Sequence, residues 1–303
     1  MIDFGKPFTS AWERTGIVLF RSFSIGKWFG LGFSAWLASF LDGAGGSNFS
    51  YRSSRATSKS EFADTLHTLT SWGLNTWIFL AVGVGLIVAL FGLLFVWLGA
   101  RGQFMFLDNL VRNRAEITTP WREFRAAGNR LFRLYAVVCL GLLAVMTGFF
   151  IFALVFCWGD LAAVRMRPLA EYAPLFIGLF LLLILWVPVL IALFFYREFG
   201  VPVMYASGGT AVEAARRIGV LATERPADFL IYLLIRIVMG FAFLLSAVLL
   251  GCLTCCLGFL PYVSSVLTLP LRVFRFCYTL DCLAQFGPEF DLWSKAQLPP
   301  PQP

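Results

Sequence analysis

The sequence predicts an all-α, polytopic membrane bundle of six transmembrane helices in three hairpins, each hairpin preceded by an amphipathic interfacial helix. Three observations carry that expectation. Of 303 residues, 59% are hydrophobic and 14% charged, with a mean hydropathy of +0.79, a balance foreign to soluble domains. The apolar residues gather into six runs near the roughly 20 residues that a helix needs to cross a bilayer. The basic residues cluster beside those runs, most densely in the interval 101–132. There Arg101, Arg112, Arg114, Arg122, Arg125 and Arg130 stand against Asp108, Glu116 and Glu123, which by the positive-inside rule places the interval in the cytoplasm.

The first span, about residues 26–41, follows Arg14, Arg21 and Lys27. The long polar stretch before it and the lack of a small-residue cleavage pattern argue for a retained helix rather than a signal peptide. Gly26, Gly30, Ser34 and Ala38 recur along it as a stripe of small residues. The second span, about 74–100, has a matching stripe of Ala81, Gly85, Ala89 and Gly92, so the two are expected to pack closely as a hairpin. The Gly/Ser-rich link between them reads as an outer loop. Near its end Ser58 and Glu61 have capping-box spacing before Phe62, Leu66 and Leu69, which predicts a short surface helix.

Spans three and four, about 134–158 and 172–196, are joined by a short link carrying Arg165 and Arg167; span four contains Pro188, a predicted kink. A second basic interval, 197–228, precedes spans five and six, about 229–250 and 257–278. The two longer outer links hold five of the 24 Lys and Arg residues, so both termini are expected in the cytoplasm. Residues 291–303 form a Pro-rich tail.

An interfacial helix is expected before each odd-numbered span. Ser10 and Glu13 would cap the first, with Trp12, Thr15, Leu19 and Phe23 on its apolar face. Thr119 and Pro120 would start the second, with Trp121, Phe124, Gly128, Leu131 and Tyr135 forming a stripe. Arg122 and Arg125 fall away from that stripe, toward lipid phosphate. Thr210 and Glu213 would cap the third, before Ala215, Ile218 and Ala222.

The run Arg101-Gly102-Gln103-Phe104-Met105-Phe106-Leu107-Asp108, the pairs Pro120-Trp121 and Gly128-Asn129, and Val201-Pro202-Val203-Met204 resemble a family of six-span bacterial integral membrane proteins of unknown function. Pro261-Tyr262, Leu269-Pro270, Phe274-Arg275 and Phe286-Gly287-Pro288-Glu289 extend the likeness over most of residues 12–289. That family is in turn distantly similar to the membrane domain of glycerophosphodiester phosphodiesterases. The resemblance implies a helical bundle in the bacterial inner membrane and brings no catalytic residues.

Nothing in the sequence specifies catalysis, a metal or a cofactor. His67 is the single histidine, and no phosphate-binding Gly-rich loop is present. No Asp or Glu falls in the core of an expected span, which removes support for proton coupling. Cys252, Cys255 and Cys256 form a C-x-x-C-C cluster, with Cys157 at the same outer level. Without a nearby cation to activate a thiolate they read as packing residues, and their disulfide state stays open.

Arg236 is the charge well inside span five and is expected to face the bundle and meet a carboxylate from Glu198, Asp108 or Asp281. Arg236, Arg122 and Arg125 are thus the candidate lipid, anion or structural charges. Basic residues beside apolar spans point to anionic lipid headgroups at the inner face, with a protein partner as a further option, rather than to nucleic acid. The function expected is that of a non-enzymatic scaffold or accessory subunit. The alternative is a transporter or lipid-handling protein using the cleft between hairpins, which a polar cavity reaching Arg236 would favour.

Overall fold

The computed structural model describes residues 3–21, 24–41, 74–163, 168–253 and 261–295, among which every regular element is helical. In chain order these are α1 (Gly5–Gly16, continuing as a π-helical turn Ile17–Arg21), α2 (Ile25–Ser39), α3 (Leu74–Val111), α4 (Thr118–Glu123) and α5 (Arg125–Ala163). Then come α6 (Ala173–Ser207), α7 (Ala211–Glu224), α8 (Pro226–Leu253), α9 (Pro261–Leu267) and α10 (Leu269–Ala284). Among the described residues, four helices are long and apolar enough to cross a membrane, over Ala89–Val111, Arg125–Phe150, Ala173–Ser207 and Pro226–Leu250.

The expected first and sixth spans take a different form. Helix α2 has 15 residues, about 22 Å at 1.5 Å per residue, short of the roughly 30 Å hydrocarbon core. The sixth run divides at Thr268 into α9 and α10, where Pro270 enters the first turn of α10 and starts a new helix. The expected helix after Ser58 lies outside the described residues.

The basic intervals are more helical than their polarity suggests. Helix α3 continues through Arg101 to Val111, and α6 through Arg197 to Ser207, passing both Pro188 and Pro202. Apolar residues spaced between the charges explain it: Phe104, Met105, Leu107 and Leu110 of α3, and Phe199, Val203 and Met204 of α6, are buried. All of these except Met105 meet Tyr232 of α8 and Val273, Cys277, Tyr278 and Leu280 of α10 in one core. That core therefore sits at the ends of the long helices. Farther out the same helices expose apolar side chains, with Phe150 66%, Phe180 63% and Leu245 71% accessible, a surface suited to lipid.

Helices α2 and α3 pack as expected of small residues, but at a different level. A Cβ at Gly102 would lie 2.6 Å from the Ala38 nitrogen, and one at Gly99 2.5 Å from that of Leu41, whereas Gly92 faces open space. Ala38 thus belongs to the contact with Gly102 as its partner, while Gly99 lies against Leu41.

The amphipathic segments differ in their caps. Helix α1 begins at Gly5, with Asp3 Oδ1 accepting from the Gly5 and Lys6 amides, so Ser10 and Glu13 lie within the helix and cap nothing. Thr119 likewise sits inside α4, whose cap residue is Ile117. Helix α7 starts as expected, Thr210 Oγ1 accepting from the Glu213 amide at 3.2 Å. Gly208, at φ 65°, closes α6 just before it in the left-handed conformation that glycine tolerates. The stripe containing Gly128, Leu131 and Tyr135 turns to the protein rather than to lipid, and Phe124 stacks between Phe104 (5.9 Å) and Tyr205 (5.2 Å). Arg122 and Arg125 are exposed on the opposite side.

Candidate functional site

Arg236 faces inward from α8, 6% exposed. Its partner is Glu198 of α6, whose Oε1 accepts from Arg236 Nη2 and also, at 2.6 Å, from Arg275 Nη2 of α10. The other carboxylate oxygen, Oε2, lies 3.3 Å from the Tyr232 hydroxyl and 3.2 Å from that of Thr279. One buried carboxylate therefore joins three helices. A buried ion pair is tolerable when its remaining lone pairs find donors, and the hydroxyls meet that requirement.

The extension of α6 explains why Glu198 was missed as an intramembrane acid. The apolar run ends near Tyr196, yet the helix carries Glu198 on into the core. Asp281 and Asp108, the other expected partners of Arg236, serve different arginines. Asp281 of α10 lies 3.5 Å from Arg14 of α1. Asp108 of α3 is held by Arg112 Nε at 3.0 Å, Arg114 Nη2 at 2.6 Å and the Tyr205 hydroxyl at 2.9 Å. Arg122 and Arg125 take no part in these clusters. Burial pushes the Asp281 carboxyl up to about 6, outweighing the lowering influence of Arg14.

Next to Glu198 a cleft of about 480 Å³ opens between α2, α3, α6, α8, α9 and α10. Its polar lining consists of Arg197, Glu198, Arg272, Arg275, Gln103, Ser264 and Thr268. Its apolar lining includes Phe106, Phe243, Leu244, Ala247 and Phe276. Leu244 is 60% exposed, so the cleft communicates with the surroundings of the helices. Arg272 donates from Nη1 to the Ala35 carbonyl at 2.9 Å, which places its guanidinium against α2. Gln103 is 5% exposed, and its Oε1 accepts no hydrogen bond among the described residues.

Arg272, Arg275, Gln103, Tyr232 and Thr279 are thus site residues that sequence reasoning did not single out. A signal for the first two was present: arginines three residues apart in an expected span lie on one helix face and are costly in lipid. Gln103 and Thr279 gave no comparable signal. Cys157 and Cys252 are unbridged, while Cys255 and Cys256 lie outside the described residues.

No curated protein and no solved structure matches the chain, and the likeness to the phosphodiesterase membrane domain finds no counterpart in these comparisons. Residues 6–264 do match a family of unknown function (DUF7544). The match spans α1 through α8 and reaches Ser264 in α9, so it takes in Glu198, Arg236, Phe106, Phe243 and Leu244 but not Arg272, Arg275 or Phe276; this chain belongs to that family.

Proposed function

We propose that this is a multi-pass protein of the bacterial cytoplasmic membrane that binds an anionic amphiphile, its head group in the cleft beside Glu198. The observation that carries the reading is the mixed lining of the cleft: Arg197, Arg272 and Arg275 together with Phe243, Leu244 and Phe276. Guanidinium groups suit phosphate, which they can bind bidentately, while the apolar side chains suit the first part of an acyl chain. A volume of 480 Å³ lies in the range of small-molecule sites. Gln103 adds an acceptor for a head-group hydroxyl. The cleft ends at Glu198 and does not reach Arg236, which is paired behind that carboxylate, so the reading rests on the basic and apolar lining rather than on Arg236.

The basic inner face has a separate role in this reading. Arg122 and Arg125, exposed on α4 and α5, hold the protein against anionic headgroups and place the segment between α3 and α5 at the cytoplasmic face.

Purification in mild detergent followed by lipid mass spectrometry tests the proposal. The wild-type chain should retain a phospholipid with an anionic head group. Arg272→Gln with Arg275→Gln should lose most of it while remaining folded, and Arg122→Glu with Arg125→Glu should keep it but associate less with anionic vesicles. Retention of a protein partner with no bound lipid would overturn the cleft reading in favour of a scaffold.

A further inference from the structure

We propose that Glu198 is a resident anion, which the phosphate of an entering head group displaces from Arg275. Filling the cleft would then break the ion pair between α10 and α6 while leaving the one between α6 and α8. This rests on the reading of the cleft as an amphiphile site and adds the means by which its occupancy is transmitted to the helices.

The two arginines on Glu198 are not equivalent. The Arg236 side chain is 3% exposed and that of Arg275 39%, and Arg275 lines the cleft. An anion arriving in the cleft therefore meets Arg275 on its accessible side. Arg272 lies three residues earlier on the same helix and also lines the cleft, so one phosphate can engage both guanidinium groups.

Glu198 can give up Arg275 without being stranded. Oε1 still accepts from Arg236, and Oε2 remains within reach of the Tyr232 and Thr279 hydroxyls. The opposite exchange is unfavourable, since parting from Arg236 would leave a buried cation without a carboxylate. Displacement is thus directional: the ion pair from α8 to Glu198 stays, and α10 keeps only its Thr279 hydroxyl on that carboxylate. In the empty cleft Glu198 occupies the charge position that the ligand would take, and a ligand must compete with it for Arg275.

The test uses the full chain in detergent, titrated with phosphatidylglycerol and, separately, with soluble glycerol 3-phosphate, bound ligand being counted by native mass spectrometry. Glu198→Gln should bind phosphatidylglycerol about tenfold more tightly than wild type, the internal competitor being neutral. Arg275→Met should bind at least about tenfold more weakly. If Glu198→Gln alone does not fold, the double variant with Arg236→Gln removes the stranded cation, and the same tightening is expected. A folded Glu198 variant with unchanged or weaker affinity overturns the displacement while leaving the amphiphile reading intact. A wild-type chain that binds neither ligand overturns both. Equal competition by glycerol 3-phosphate supports displacement but overturns the requirement for an acyl chain.

Discussion

At the scale of single residues, the shared carboxylate makes the members of the Glu198 cluster unequal. Arg236→Leu leaves Glu198 with Arg275 and two hydroxyls, so the loss is that of one charged hydrogen bond, about 1.5–3 kcal/mol. Glu198→Leu leaves Arg236 buried without its carboxylate and should cost more, about 3–5 kcal/mol. Thermal unfolding of both variants in the same detergent checks the order; a reversed order would show that Arg236 is not stranded when its carboxylate is removed. A second residue-scale expectation concerns pH. The Asp281 carboxyl titrates near 6 in the folded protein against an ordinary 3.8, raised by burial despite Arg14. Folding favours its protonated form, so the stability it contributes is full below about pH 3.8 and is lost as pH rises through about 6. The melting temperature should fall between pH 4.5 and 7 and the fall should be shallower in Asp281→Asn; equal slopes would assign the dependence to another group.

At the scale of elements, the close approach of α2 to α3 rests on two glycines. A side chain at Gly102 would meet the backbone of Leu37 and Ala38 at 2.6–2.7 Å, and backbone cannot swing aside. Gly102→Ala should therefore destabilise by about 1–3 kcal/mol. Gly92→Ala, in open space on the same helix, should be neutral or mildly stabilising, because alanine is the better helix former. Paired melting curves test the contrast, and equal effects would deny α2–α3 packing its proposed level. The stripes of small residues were legible in the sequence as a tendency to pack. Their register was not, because glycines are spread along the whole of α3, and which of them touch depends on where α2 ends.

At the scale of the whole molecule, charge placement predicts orientation. A cysteine introduced at position 53 should react with an impermeant reagent added outside intact cells, and one at Asn113 should react when the inner face is exposed. The reverse pattern would invert the topology. The same charge pattern misled about where the core lies. The interval 101–132 and the stretch after Tyr196 read as polar loops, yet they carry α3 and α6 into the best-buried part of the protein. Their buried acids are paired: Asp108 takes up Arg112 and Arg114 from its own interval, and Glu198 takes up Arg236 and Arg275 from α8 and α10.

The sequence by itself determined the all-helical class, the apolar character of the long helices, the inward face of Arg236 and the cap at Thr210. Each of these follows from local composition or from spacing along one helix. Only the tertiary structure decided that Glu198 rather than Asp281 meets Arg236, that Arg272 and Arg275 share a cleft with Gln103, and that the α4–α5 stripe packs on α3 instead of lipid. Those facts join residues far apart in the chain, as Glu198 and Arg275 are. An apolar face or a buried charge needs a partner, and composition alone does not say whether that partner is lipid or another helix.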